Sequence, residues 1–115
     1  MNQPLSQAIT DNCWGNIRLL ATDMDGTLTQ QEKFTSDLLE TLEELAAVGL
    51  QVLIVTGRSA GWVNGIAAYL PVVGAIAENG GILYWHNSNS GRLLTDIDDF
   101  EEHRQQLKSL FQLFY

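Results

Sequence analysis

Two carboxylates carry the clearest chemical signal in this chain. Asp23 and Asp25 stand two residues apart in Thr22-Asp23-Met24-Asp25-Gly26-Thr27-Leu28, directly after the apolar run Ile17-Arg18-Leu19-Leu20-Ala21. In extended backbone, residues i and i+2 point the same way, so both aspartates project together where a strand gives out. Like charges this close push their pKa values apart unless a cation sits between them. The pair therefore suits a hard-metal site, a nucleophile beside a proton donor, or both. Asp-x-Asp-Gly on its own is equally at home in a solvated turn, and it also opens calcium loops. A calcium loop needs a bidentate Glu at its twelfth position, and the twelfth residue counted from Asp23 is Phe34. Placement at the end of a buried-type strand favours chemistry over a plain turn, because open α/β sheets bind ligands at strand carboxyl ends.

A second candidate follows the run Gln51-Val52-Leu53-Ile54-Val55: the segment Thr56-Gly57-Arg58-Ser59. Neighbouring parallel strands lie about 5 Å apart, so if the two runs pair, Thr56 comes close to Asp23. A threonine hydroxyl and the amides of Gly57 and Arg58 at a helix start form an anion cradle. Taken alone, Thr-Gly-Arg is an ordinary cap; beside the aspartate pair it reads as a phosphate site. Glu78-Asn79-Gly80-Gly81 follows a third apolar run in the same way. It serves equally well as a glycine turn feeding a hairpin or as a direct participant in chemistry.

The elements that must position these residues read as alternating strands and helices. Residues 1–16 are polar and mixed, a lead-in tail, and residues 17–22 read as a buried strand. Thr35-Ser36-Asp37 offers capping oxygens, with Glu40 placed to close a capping box with Asp37. Leu38, Leu42, Leu45 and Ala46 recur at helical spacing and Gly49 stops the helix. Residues 51–55 form a second strand covered on both faces. Ser59 to Leu70 reads as a helix with Trp62, Val63, Ile66, Ala67 and Leu70 on its packed side, ended by Pro71. Val72 to Ala77 is a third strand. Strand, helix, strand, helix, strand predicts a Rossmann-like α/β fold: a parallel sheet with flanking helices. Residues 81–85 and 92–95 then flank a polar turn as a β-hairpin. Asp98-Asp99 caps a last helix, whose stripe is Phe100, His103, Leu107, Leu110, Phe111 and Phe114; His103 reads as a packed histidine on it.

Composition narrows the function classes. Fourteen acidic and six basic side chains give a formal charge of -8, which leaves no basic footprint for nucleic acid or an anionic membrane. An anionic substrate would need positive charge imported into the site, and a divalent cation is one means. The lone cysteine, Cys13, excludes an internal disulfide and reads as a packing residue. No apolar run spans a bilayer and the first residues lack an export signal. A cytoplasmic protein is therefore expected.

The residues at this point resemble a known family. Asp23-Met24-Asp25-Gly26-Thr27 is similar to the first motif of the haloacid dehalogenase superfamily, and Val55-Thr56-Gly57-Arg58 to its second. Ala77-Glu78-Asn79-Gly80-Gly81 resembles the corresponding stretch of its Cof-like, sucrose-phosphatase-like branch, which carries a type C2 cap. The resemblance implies a partial core over residues 17–81 and the beginning of a cap over residues 82–115. It implies that Asp23 attacks phosphorus to give an aspartyl-phosphate. Asp25 would protonate the leaving oxygen and then deprotonate water. Mg²⁺ would be held by the Asp23 side chain and the Asp25 backbone carbonyl. The implied phosphate-contacting set is Met24, Thr56, Gly57 and Arg58. The implied activity is that of a phosphatase acting on a small phosphorylated metabolite, with sugar phosphates the leading class.

The departures are as informative. The family's third motif has a phosphate-binding Lys and its fourth has metal-binding acids. Lys33 and Lys108 are the only lysines, and neither has a third-motif context. Asp96, Asp98, Asp99, Glu101 and Glu102 read as a helix start. The chain therefore reads as the N-terminal portion of a family member, with weak or absent activity expected on its own. The alternatives are a non-catalytic remnant that keeps a Mg²⁺ or phosphate site, an interaction module, or a half-site completed by a partner chain. Without further strands, residues 17–22 would form an open sheet edge. Self-association is expected through that edge or through the last helix.

Overall fold

The structure, a computed structural model, describes residue 7, residues 13–94 and residues 99–114. The expectations for the rest of the tail, for Thr95 and for Asp98 lie outside the described residues. A short 3-10 turn at Cys13–Asn16 leads into β1 (Leu19–Thr22). There follow α1 (Ser36–Ala47), β2 (Gln51–Val55), α2 (Ala60–Tyr69), β3 (Gly74–Ala77), β4 (Ile82–Trp85), β5 (Arg92–Leu93) and α3 (Phe100–Phe114).

The five strands form one sheet in the order β1-β2-β3-β4-β5. The first three are parallel, as expected for strands joined through helices. β4 and β5 run antiparallel, so the α/β sheet is mixed. The hairpin is hydrogen-bonded to β3 through Ala75–Tyr84 and Ala77–Ile82 pairing. A division between residues 81 and 82 thus does not coincide with a break in the sheet.

One cluster of buried side chains joins the layers: Leu42 from α1, Val52 and Ile54 from β2, Val63 and Ala67 from α2, and Tyr84 from β4. Met24, from the loop after β1, is 1% exposed and belongs to the same cluster. Its side chain thereby anchors the aspartate loop to the core. Gly49, at φ +82°, takes the left-handed turn that ends α1, and its N–H bonds the Ala46 carbonyl.

Several local expectations are corrected. Thr35, not Asp37, caps α1: its hydroxyl accepts the Leu38 N–H at 3.2 Å. β1 is an exposed edge and not a buried strand, with Leu19 49% and Leu20 38% exposed. Among the described strands it pairs only with β2, so Leu19 and Leu20 have no outer strand neighbour among the described residues. Trp62 is 38% exposed on α2, outside the packed side that holds Val63, Ala67 and Leu70. The apolar positions Leu107, Leu110, Phe111 and Phe114 of α3 are exposed. No helix of the described residues is long and apolar enough to cross a membrane.

Gly74 shows how tightly β3 is held. A Cβ there would lie 2.5 Å from the Tyr84 carbonyl oxygen and 3.3 Å from Trp85. Gly74→Ala is therefore expected to destabilise the fold by about 1–3 kcal/mol. Urea denaturation should show a lower midpoint; an unchanged midpoint would mean that β3 and β4 are not packed this closely.

Candidate functional site at the strand ends

The β1–β2 register places Thr22 opposite Ile54. Two residues further on, Asp23-Met24 and Val55-Thr56 leave adjacent strands at the same end of the sheet. The loop after β1 then folds back on one acceptor. The Met24 carbonyl receives the N–H groups of Thr27, Leu28 and Thr29 at 3.2, 2.9 and 3.1 Å. Gly26, at φ +77°, makes this reversal, and its own N–H bonds the Thr29 hydroxyl at 3.0 Å. The reversal brings the Thr27 hydroxyl 3.0 Å from Asp23 Oδ2, to which it donates. One oxygen of Asp23 is thus oriented by the loop, and both aspartates remain exposed.

Asp25 meets the second loop directly. Arg58 Nε and Nη2 donate to Asp25 Oδ2 and Oδ1 at 3.0 and 2.8 Å, a two-pronged ion pair. The guanidinium also lies 4.8 Å from the centre of the Trp62 ring, a cation–π contact. The hydrogen bonds from Arg58, with its positive charge, hold the Asp25 carboxyl below the usual carboxylate range, and Asp25 raises Arg58 in return. Both side chains are nearly half exposed, so water screens the pair and its main effect is to tie the two loops together.

Thr56 is 5% exposed. Its N–H bonds the Ile76 carbonyl at 2.9 Å, and its hydroxyl oxygen accepts the Arg58 N–H at 3.2 Å. That acceptance leaves the hydroxyl proton to donate elsewhere. The Arg58 amide is therefore spent within the loop, and Gly57 keeps the available N–H of the expected pair. The Met24 side chain is in the core, so only its backbone can face a ligand.

The third segment joins the same end. The Glu78 carboxylate accepts the Ala60 N–H at 2.9 Å, capping α2 where Ser59 makes no side-chain cap. Asn79 lies against Gly57: a Cβ on Gly57 would come 2.7 Å from Asn79 Oδ1. The sequence is equally consistent with a turn or a direct role for this segment; it points to no contact for Thr27, and it puts Trp62 on the packed side of α2, not under Arg58. For Glu78 and Asn79 the available signal was their place after the third strand, at the end of the sheet shared with both other motifs.

The oxygens present fit a hard divalent cation in part. Asp23 retains a carboxylate oxygen that Thr27 does not use. Among the described residues no backbone N–H donates to the Asp25 carbonyl. The Asp25 carboxylate is taken by Arg58, and no group of three His, Cys, Asp or Glu side chains gathers among the described residues. A cation that keeps several waters and takes one or two protein oxygens suits such a set.

The aspartate pair and the Thr-Gly-Arg loop lie at adjacent strand ends of an α/β sheet, the edge at which open sheets of this kind bind ligands. The chain belongs to the haloacid dehalogenase-like hydrolase family, whose family model matches residues 20–114. A phosphoglycolate phosphatase of Sulfolobus acidocaldarius is 37% identical over 75 residues, 62% of this chain and 33% of that protein. Phosphoglycolate phosphatase 1 of Saccharolobus solfataricus is 31% identical over 101 residues, 84% of this chain and 42% of that protein. Among solved structures, trehalose-6-phosphate phosphatase of Aspergillus fumigatus superposes with a TM-score of 0.62 at 25% identity, covering 97% of this chain and 43% of that one. The haloalkanoate-superfamily phosphatase BT1666 of Bacteroides thetaiotaomicron gives 0.58 at 26% identity, covering 85% and 36%. The chain thus spans a third to somewhat under half of the length of these relatives.

The Asp25–Arg58 pair predicts a pH effect with a definite sign. Asp25 has a folded-state pKa below its unfolded value. Its contribution to stability is therefore present above the ordinary carboxylate pKa of about 3.9 and is lost as pH falls through the lowered value. Arg58→Ala should move the Asp25 midpoint up toward about 3.9, read from its side-chain carboxyl carbon by NMR. A midpoint identical to wild type would contradict the ion pair.

Proposed function

We propose that this chain carries the nucleophile half of a Mg²⁺-dependent phosphatase site acting on a small phosphate monoester. The observation that carries the reading is the orientation of Asp23 by Thr27 beside the Thr56–Arg58 loop, with Arg58 bound to Asp25. Asp23, through its carboxylate oxygen, attacks phosphorus and the phosphorus–oxygen bond to the leaving alcohol breaks. Asp25 gives its proton to that leaving oxygen. In the second half Asp25 takes a proton from water, whose oxygen attacks phosphorus, and Asp23 is released with inorganic phosphate. Mg²⁺ would be held by the Asp23 carboxylate and the Asp25 carbonyl, where it would offset the negative charge of Asp23 and the phosphoryl group.

Arg58 on Asp25 favours the ionised form, so release of Arg58 would ready Asp25 to carry a proton. An arriving phosphoryl dianion is a strong competitor for the guanidinium. Thr56 and the Gly57 amide would receive the other phosphoryl oxygens. The relatives' names speak of phosphoglycolate and trehalose 6-phosphate. Both are small phosphate monoesters, which supports that class, sugar phosphates included, for this chain.

Among the described residues neither lysine side chain pairs with Asp23, Asp25 or Thr56. Lys33 is exposed on the Gln30–Lys33 turn, and Lys108 lies on α3. Loss of one preorganised donor lowers turnover by about 10²–10³. Slow hydrolysis of an aryl phosphate in Mg²⁺ is therefore expected from the 115-residue chain, abolished by Asp23→Asn. Hydrolysis that survives Asp23→Asn would refute the nucleophile assignment, and fast wild-type turnover would refute the expected deficit.

A second reading concerns partners. Among the described strands β1 has one neighbour, and it exposes Leu19 and Leu20; an apolar open edge invites pairing. Association through β1 is the favoured mode. Sedimentation should show a mass that rises with concentration and falls back to monomer in Leu20→Lys; a wild-type monomer at high concentration would contradict it.

A further inference from the structure

We infer that Glu78 is a positioning residue: the Glu78–Asn79 turn clamps the Thr56–Ser59 loop so that the Gly57 and Ser59 amides face an incoming phosphoryl group. The inference deepens the phosphatase reading and rests on it for the identity of the ligand. Three successive residues, Glu78, Asn79 and Gly80, have φ of +54°, +54° and +99°. Left-handed backbone is disfavoured for the first two, neither of them glycine, so the surroundings must hold it.

The turn's contacts converge on one loop. The Glu78 N–H donates to the Arg58 carbonyl at 3.0 Å, and the Asn79 N–H donates to the Thr56 carbonyl at 3.3 Å. The Glu78 carboxylate takes the Ala60 N–H at 2.9 Å. The Asn79 amide occupies the space beside Gly57, 2.7 Å from where a Cβ would stand.

Planarity of the peptide gives these contacts a consequence. In a trans peptide the C=O and the following N–H point in opposite directions. The Thr56 and Arg58 carbonyls face the turn, so the Gly57 and Ser59 N–H groups face away from it. Among the described residues neither amide has a backbone acceptor. Together with the Thr56 hydroxyl proton they form three donors at the end of β2. Glu78 also takes the first-turn N–H of α2 at Ala60, withholding that donor from a ligand. Holding the loop from behind is what keeps the donors aimed before the ligand arrives.

The test uses the full chain, inorganic phosphate and amide NMR, with hydrogen exchange measured in the absence of phosphate. In wild type, phosphate should shift the Gly57 and Ser59 amides, and the Ala60 amide should be protected. Glu78→Gln keeps an acceptor at the same reach and should retain both properties. Glu78→Asp keeps the charge but falls short of Ala60. Like Glu78→Ala, it should lose Ala60 protection and bind phosphate about tenfold or more weakly. The aspartate variant serves if the alanine variant does not fold. Wild-type phosphate affinity in Glu78→Asp and Glu78→Ala would overturn the clamp, as would Glu78→Gln behaving like Glu78→Ala. If phosphate leaves wild-type amides unmoved, the phosphatase reading fails. The clamp is then decided by Ala60 exchange alone, which must quicken in Glu78→Asp for it to stand.

Discussion

The parallel pairing of β1 with β2 is the constraint on which the rest depends. With Thr22 opposite Ile54, the chain has no choice but to release Asp23 and Thr56 at the same end of neighbouring strands. The segment after β3 emerges beside them, because β3 pairs with β2 in the same direction. Three loops far apart in sequence are thereby gathered, and short polar contacts then fix them to each other. Arg58 bridges the first two, and Glu78 with Asn79 bridges the second and third. Met24 ties the arrangement to the hydrophobic core.

The electrostatics of the site follow from its setting. A chain of net charge -8 repels anions at long range, so attraction must be local. Arg58 is a cation in contact with the second aspartate, and it is held on Asp25 and against Trp62. That placement balances the second aspartate, while one Asp23 oxygen is not used by Thr27. The same arginine is where a phosphoryl group would first find positive charge. Exchange of Arg58 between Asp25 and phosphate would couple ligand arrival to the freeing of a proton carrier. The donors at the end of β2 are neutral and depend on backbone direction, which makes the shape of the loop as important as its charge.

Much of this was legible in the residues because it rests on local rules. Gln51–Val55 is a strand with the bounds expected of an apolar run between Gly49 and Thr56-Gly57. The aspartate pair sits at a strand end, and the hairpin forms around its polar turn. What escaped was set by contacts distant in sequence. Arg58 and Asp25 are 33 positions apart, and Glu78 reaches 18 positions back to Ala60; no spacing rule encodes either. Trp62 falls on the helical pattern, yet an arginine from the preceding loop gives it a partner at the surface. β1 has the composition of a buried strand, but burial depends on a second neighbour, and among the described strands only β2 pairs with it. At α1, Thr35 and Asp37 are both capping residues, and the choice was made by backbone geometry, with Thr35 extended before the first turn.

The measurement that bears most directly on the account is a crystal structure with Mg²⁺ and beryllium fluoride, a mimic of a phosphoryl group on a carboxylate. The account predicts the fluoride group bonded to the Asp23 carboxylate, within hydrogen-bond distance of the Thr56 hydroxyl and the Gly57 amide, with Arg58 drawn off Asp25. A structure with Asp23 and Thr56 turned to opposite sides of the molecule, or with the fluoride group held elsewhere, would contradict it.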